Sequence, residues 1–328
     1  MEEKKLYPMR FCALQDEYSW GSDEFQLADL GYRDSLVRDG WLAGNAVSEV
    51  MDTYLDRVVG ENVYNFWGRQ FPVQVKHIRV KGKMPLRVHP DATVAEQRYD
   101  FLGREKLWYV LRAGEGARIL AGFRQDTDAS GLYSACMDGS VEGMMHAFTP
   151  KPGEFVHIRP GVPHAAMGDV EILEVSESSP LDFCLCSWGQ EVSEEEFDPS
   201  LGLVEALDFI DYKAWNAPEA PHSHPGDMVR KLIDIPEFTV THLQLTDPLH
   251  IYSDRFDSFI LYTCISGEAS VQLEVLGRTA SFPVSAGQTM LVPAECPDFY
   301  LVPTSRDTVI LETTVAPRQE SDSYLSGN

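Results

Sequence analysis

Three residues in the first half of the chain carry side chains suited to chemistry: His89 in MPLRVHPD, Lys106 in GREKLWYVL and His164 in GEFVHIRPGVPHAAM. The last segment reads as a strand, a Pro-Gly turn and a histidine that returns toward the strands. Imidazoles held this way bind divalent metals or move protons near neutral pH. A solitary histidine is more often structural, but two at the ends of strands that one β framework would join form a candidate shared site. Side chains alternate along a strand, so Lys106, Trp108 and Val110 share one face while Glu105, Leu107 and Tyr109 share the other. The same rule puts Arg87 and His89 on one face.

The elements that must position these residues are short. The runs FPVQVKHIRV, LWYVLRA, ARILAGF, FVHIRPG, VEILEVS, FTVTHLQL, FILYTCISG, ASVQLEVL, TMLVPA and TVILETTV are rich in Val, Ile, Phe and Tyr and are separated by Gly and Pro. Many short strands with turn signals between them predict an all-β sandwich or barrel. Apolar spacing of three and four predicts peripheral helices near 45–60 and 138–148. Around DYKAWNAPEAPHSHPGD the apolar pattern lapses, which places a linker at 213–225 between an amino-terminal domain, 1–212, and a carboxy-terminal domain, 226–328. FILYTCISGEASVQLEV followed by SFPVSAGQTMLVPAECPDFYLVP echoes EKLWYVLRAGEGARILAGF followed by KPGEFVHIRPGVPHAAM, the mark of one jelly roll duplicated.

Composition narrows the function. The chain has 328 residues, enough for two domains, and 27 Lys plus Arg stand against 51 Asp plus Glu for a net charge of −24, which repels nucleic acid. No apolar run approaches the ~20 residues of a membrane span, and the charged start MEEKKLYPMRF lacks the apolar centre of a secretory signal, so no membrane partner and a cytoplasmic location are expected. Six cysteines without CxxC spacing read as reduced thiols, and Cys184 and Cys186 should share a strand face. His222 and His224 form an HxH in the linker, read as a solvated loop, as is the acidic run SEEEFD. His157 reads as a satisfied barrel histidine, and Trp108, Tyr109 and Trp188 as core. Oligomeric state is not legible.

The segments YPMRF, FPVQVK, MPLRVHPDA, GREKLWYVL, GEFVHIRPGVPHA and ILEVSESSPLDFC, in this order and spacing, resemble class I mannose-6-phosphate isomerase in its short bacterial form. The resemblance covers nearly the whole chain. It implies two cupin (RmlC-like jelly-roll) domains and isomerisation of mannose 6-phosphate to fructose 6-phosphate around a zinc ion held by Gln, His, Glu and His. His89 and His164 match the two histidine ligands, but the family's Gln falls at Arg87 and its Glu at Lys106. Lys76, Arg104 and Glu174 match polar positions of the family's active site, while its arginine falls at Cys184 and a phosphate-side serine at Pro85. Neither guanidinium nor ammonium is a ligand, and two cations repel a divalent ion, so zinc binding is expected to be impaired.

Two functions follow. One is the isomerase, with Lys76, Arg104 and Glu174 as catalytic residues. The other is a metal-free relative that binds a sugar or sugar phosphate in a regulatory role, with Arg87 and Lys106 adding two positive charges that attract an anion. A different reaction on the same barrel, with those two cations stabilising an anionic intermediate, is a third. Against all three stands the plainer expectation that Arg87 and Lys106 pair with nearby acids such as Glu174.

Overall fold

The ten apolar runs fold as strands in a computed structural model that describes residues 4–189, 199–216, 227–253, 257–275 and 277–315. The contacts between residues divide the chain into two units, one comprising Gln15–Phe25 and Val75–Pro218, the other Met1–Leu14, Gln26–Gln74 and Glu219–Asn328. The segments Met1–Leu14 and Gln26–Gln74, expected with the first domain, thus group with the carboxy-terminal strands. The reason is local: Met9 and Arg10 add an edge strand by pairing with Leu291 and Met290. Arg57 also bonds both carboxylate oxygens of Glu295 at 3.0 Å. The linker residues 217–225, with His222 and His224, and the run SEEEFD lie outside the described residues.

In the unit that carries the candidate residues, one sheet runs Leu14–Tyr18, Gly21–Leu27, Val73–Val80, Val170–Glu177, Lys106–Ala113 and Phe155–Ile158. The other runs Phe183–Cys186, Leu86–Val88, His164–Met167, Arg118–Phe123 and Met145–Phe148. The second unit places Met9–Arg10, Thr289–Val292, Ile260–Ser266, Thr308–Thr314, Thr239–Leu245 and Val229–Asp234 in one sheet. Leu249–Tyr252, Asp298–Pro303, Glu268–Val275 and Arg278–Ser285 make its other sheet. Setting aside the added edge strands and counting along the chain from Val73–Val80 and from Thr239–Leu245, both units share the strand orders 1-8-3-6 and 2-7-4-5. That is a jelly roll, twice, and the repeat read in the sequence is a repeat of topology.

Burial obeys strand alternation. In Arg118–Phe123, Ile119 and Ala121 join Trp20, Trp108, Val110, Ile158 and Ile172 between the sheets, while Leu120 packs outward with Leu132 and Leu203 of the helices Ala129–Asp138 and Pro199–Ala206. The helix expected near 45–60 is present as Val47–Tyr54 and Asp56–Val59, with Glu61–Trp67 after it. The one expected at 138–148 is not. Asp128 caps the helix Ala129–Asp138 by accepting from the Gly131 amide, and Gly139 ends it in a left-handed conformation, φ +80°. Beyond Gly139 the chain makes one 3₁₀ turn, Val141–Met144, and then the strand Met145–Phe148, which pairs with Arg118–Phe123. Among the described residues, no helix is long and apolar enough to cross a membrane.

Gly168 joins His164–Met167 to Val170–Glu177 at φ +80°, and a Cβ there would lie 2.3 Å from the Gly116 carbonyl oxygen. Gly168→Ala is therefore expected to cost about 2–3 kcal/mol, measured as a lowered urea midpoint.

Candidate active site

Glu174 stands on Val170–Glu177 directly opposite Trp108 of Lys106–Ala113 and is the hub of the site. Its Oε2 accepts from the Trp108 indole N–H at 2.7 Å and lies 3.5 Å from the Lys106 ammonium. Its Oε1 accepts from Arg104 Nη2 at 3.1 Å and lies 3.7 Å from Lys76 Nζ. Burial would push this carboxyl up, but Lys106, Lys76, Arg104 and the Trp108 bond hold it well below the ordinary carboxylate range. Lys106 and Trp108 reach the same carboxylate, as strand alternation requires, and Glu105 faces away to bond His157 Nε2 at 2.7 Å.

Lys106 is 1% exposed, and its Nζ lies 3.2 Å from Nε2 of His164. His164 Nδ1 lies 3.0 Å from the Val162 carbonyl oxygen, which can only accept, so the proton is on Nδ1 and Nε2 presents its lone pair to the ammonium. Burial, with the neighbouring Lys106 charge, drives the His164 pKa down to about 3, so the ring is neutral. Burial lowers Lys106 to about 8, Arg104 and Lys76 adding to the shift and Glu174 opposing it.

Asp182 and Asp23 complete the cluster, and neither was marked by the sequence motifs. Asp182 sits two residues before Cys184, just ahead of the strand that pairs with Leu86–Val88, a position that could have singled it out. Its Oδ2 lies 3.4 Å from Arg87 Nη1 and 3.5 Å from Arg104 Nη1. Asp23, on the Gly21–Leu27 strand, accepts from Lys76 Nζ at 2.9 Å. All seven predicted site residues, Lys76, Arg87, His89, Arg104, Lys106, His164 and Glu174, therefore meet in one cluster. Its four cations face three carboxylates, so the surplus of two positive charges counted from Arg87 and Lys106 is reduced to one. Cys184 and Cys186 do not share a face. The register slips between them, Cys184 lies beside Arg87, and Cys186 packs outward with Phe183 and Leu185.

The second unit supplies a natural control. Tyr262 and Glu312 stand at the same strand positions as Trp108 and Glu174, and the Tyr262 hydroxyl donates to Glu312 at 3.1 Å. Ile260 replaces Lys106 there. Burial without a cation raises the Glu312 pKa, with the Tyr262 bond opposing, the reverse of Glu174.

Comparison with known proteins gives one consistent answer. Over 276 residues the chain is 25% identical to the Bacillus subtilis protein named Putative mannose-6-phosphate isomerase YvyI, covering 81% of each. Over 320 residues it is 22% identical to Mannose-6-phosphate isomerase ManA of Bacillus subtilis, covering 90% of this chain and 95% of that one. The crystal structure of the mannose 6-phosphate isomerase from Bacillus subtilis superposes with a TM-score of 0.80 at 19% identity, over 94% of this chain and 99% of that one. The chain is phosphomannose isomerase-like. No family model matches it.

A phosphomannose isomerase-like chain carries the expectation of zinc, and the residues here do not fit that ion. His164 is oriented as a metal ligand would be, with its second nitrogen on a carbonyl. Yet the Nε2 that would bind the ion lies 3.2 Å from the Lys106 ammonium, a cation that would repel it. Arg87 is turned to Asp182, and among the described residues no three of His, Cys, Asp and Glu are grouped to hold a metal.

Removing the charge of Glu174 takes from Lys106 its carboxylate and leaves Lys76 and Arg104 with Asp23 and Asp182 alone, so Glu174→Gln is expected to cost about 3–5 kcal/mol. Glu312 behaves oppositely. Its raised pKa means that the folded state takes up a proton and that the contribution of this carboxyl fades as pH rises through the folded pKa. Glu312→Gln should therefore match the parent protein at pH 4 and exceed it in stability at pH 8, read from guanidinium titrations at both pH values.

Proposed function

We propose that the Glu174 barrel binds a sugar or sugar phosphate without metal and does not interconvert aldose and ketose. The observation that carries this reading is the Lys106 ammonium 3.2 Å from the lone pair of His164 Nε2. Moving a proton between C1 and C2 of a sugar requires an electrophile on the carbonyl oxygen and a base of matched pKa. The electrophile of the zinc reaction has no ligand set here. Glu174, the nearest carboxylate, is held by Trp108, Arg104 and Lys106 and is depressed well below the range of a useful base. Cys184 takes the place of the arginine that the resemblance implies.

The isomerase reading is favoured by the likeness to named mannose-6-phosphate isomerases across most of the chain. It requires Lys106 to swing away and admit a metal. One experiment separates the two. Protein purified with zinc present is expected to retain well under about one-tenth equivalent of metal and to leave mannose 6-phosphate unchanged. The double variant Arg87→Gln/Lys106→Glu, which rebuilds a Gln-His-Glu-His set, should take up about one zinc per chain by elemental analysis. Stoichiometric zinc together with mannose 6-phosphate turnover in the unaltered protein would overturn the proposal.

A further inference from the structure

Each cation of the site is already matched to a carboxylate: Lys76 to Asp23 at 2.9 Å, Arg104 to Glu174 at 3.1 Å, Lys106 to Glu174 at 3.5 Å and Arg87 to Asp182 at 3.4 Å. The atoms left over are acceptors in the majority. Asp23 Oδ1, Asp182 Oδ1 and both ring nitrogens of His89 are buried without a hydrogen-bond partner. His89 is 0% exposed and lies beside His164, with ring centroids 5.2 Å apart. A neutral imidazole so placed offers one donor and one acceptor. Counting also Arg104 Nε, whose guanidinium bonds Glu174 through Nη2, the unmet atoms amount to three acceptors and two donors.

A ligand that satisfies this set must bring hydrogens. A phosphate dianion brings acceptors only, and the four cations it could meet are each already engaged by a carboxylate, in a chain of net charge −24. Sugar hydroxyls each donate and accept, and several on one ring suit a cluster of convergent acceptors. We infer that the ligand of this barrel is an uncharged polyhydroxyl sugar rather than its phosphate ester, bound through Asp182 and His89. The inference rests on the reading that the barrel binds a sugar. Arg87 and Asp182 are the more exposed members, with side chains 15% and 14% accessible, and stand at the outer end of the site.

The test uses the full chain and four probes: D-mannose, D-fructose and the 6-phosphate of each, followed by saturation-transfer NMR and calorimetry. The free sugars are expected to bind at least about tenfold more tightly than their phosphates. His89→Phe keeps a ring of similar shape and removes two unsatisfied atoms, so it should fold with undiminished stability yet lose about tenfold or more in sugar affinity. Asp182→Asn should weaken the same sugars while narrowing the gap to the phosphates. Phosphates binding as tightly as the sugars, or His89→Phe binding sugar unchanged, would overturn this inference and leave metal-free binding standing. Failure of all four probes to bind would overturn both.

Discussion

An ammonium buried beside a neutral histidine is the constraint on which the rest of this site depends. Taking the Lys106 charge out of water costs several kcal/mol unless nearby groups compensate, and here Glu174 and the His164 lone pair do so. The Val162 carbonyl fixes the tautomer of His164, and the ammonium set against its lone pair holds Glu174 and blocks the coordination position that the histidine would otherwise offer. The Trp108 indole and the Arg104 guanidinium then fill the remaining lone pairs of Glu174, so that its carboxylate is structural in character. One Lys on the inner face of one strand thus turns a pair of metal-site histidines into part of a network of ion pairs.

The duplicated fold separates the requirements of the jelly roll from the additions of the site. Both units keep an aromatic donor opposite a glutamate on the same pair of strands, Trp108 with Glu174 and Tyr262 with Glu312. Only the first surrounds its glutamate with cations. Ile260, at the position of Lys106, leaves Glu312 in a barrel filled by Leu243, Val271, Met290 and Phe299, and its carboxyl is shifted in the opposite direction. The charge network is therefore a local elaboration of one barrel, and the sheet topology does not depend on it.

Much of this was legible in the sequence because strands have a period of two. Alternation alone placed Lys106 with Trp108, set Glu105 outside and put Arg87 beside His89, and the turn before His164 aimed it at the same point. The carboxylates were harder. Asp182 precedes a strand whose register slips between Cys184 and Cys186, so alternation could not say which way it faces, and Asp23 enters from a hairpin far from the conspicuous motifs. Without these two acids, charge counting from Arg87 and Lys106 overstated how cationic the pocket is. The segment 138–148 misled for another reason: its three- and four-residue apolar spacing is real, but Gly139 stops the preceding helix and Met145–Phe148 is claimed by the neighbouring strand.

The central claim is that an ammonium, not a metal, faces His164. Diffraction at the zinc absorption edge from crystals soaked in zinc tests it most directly. The account predicts no anomalous peak between His89 and His164, with the Lys106 amine in continuous density next to the His164 ring. A strong peak bound to both histidines, with Lys106 turned away from Glu174, would contradict it.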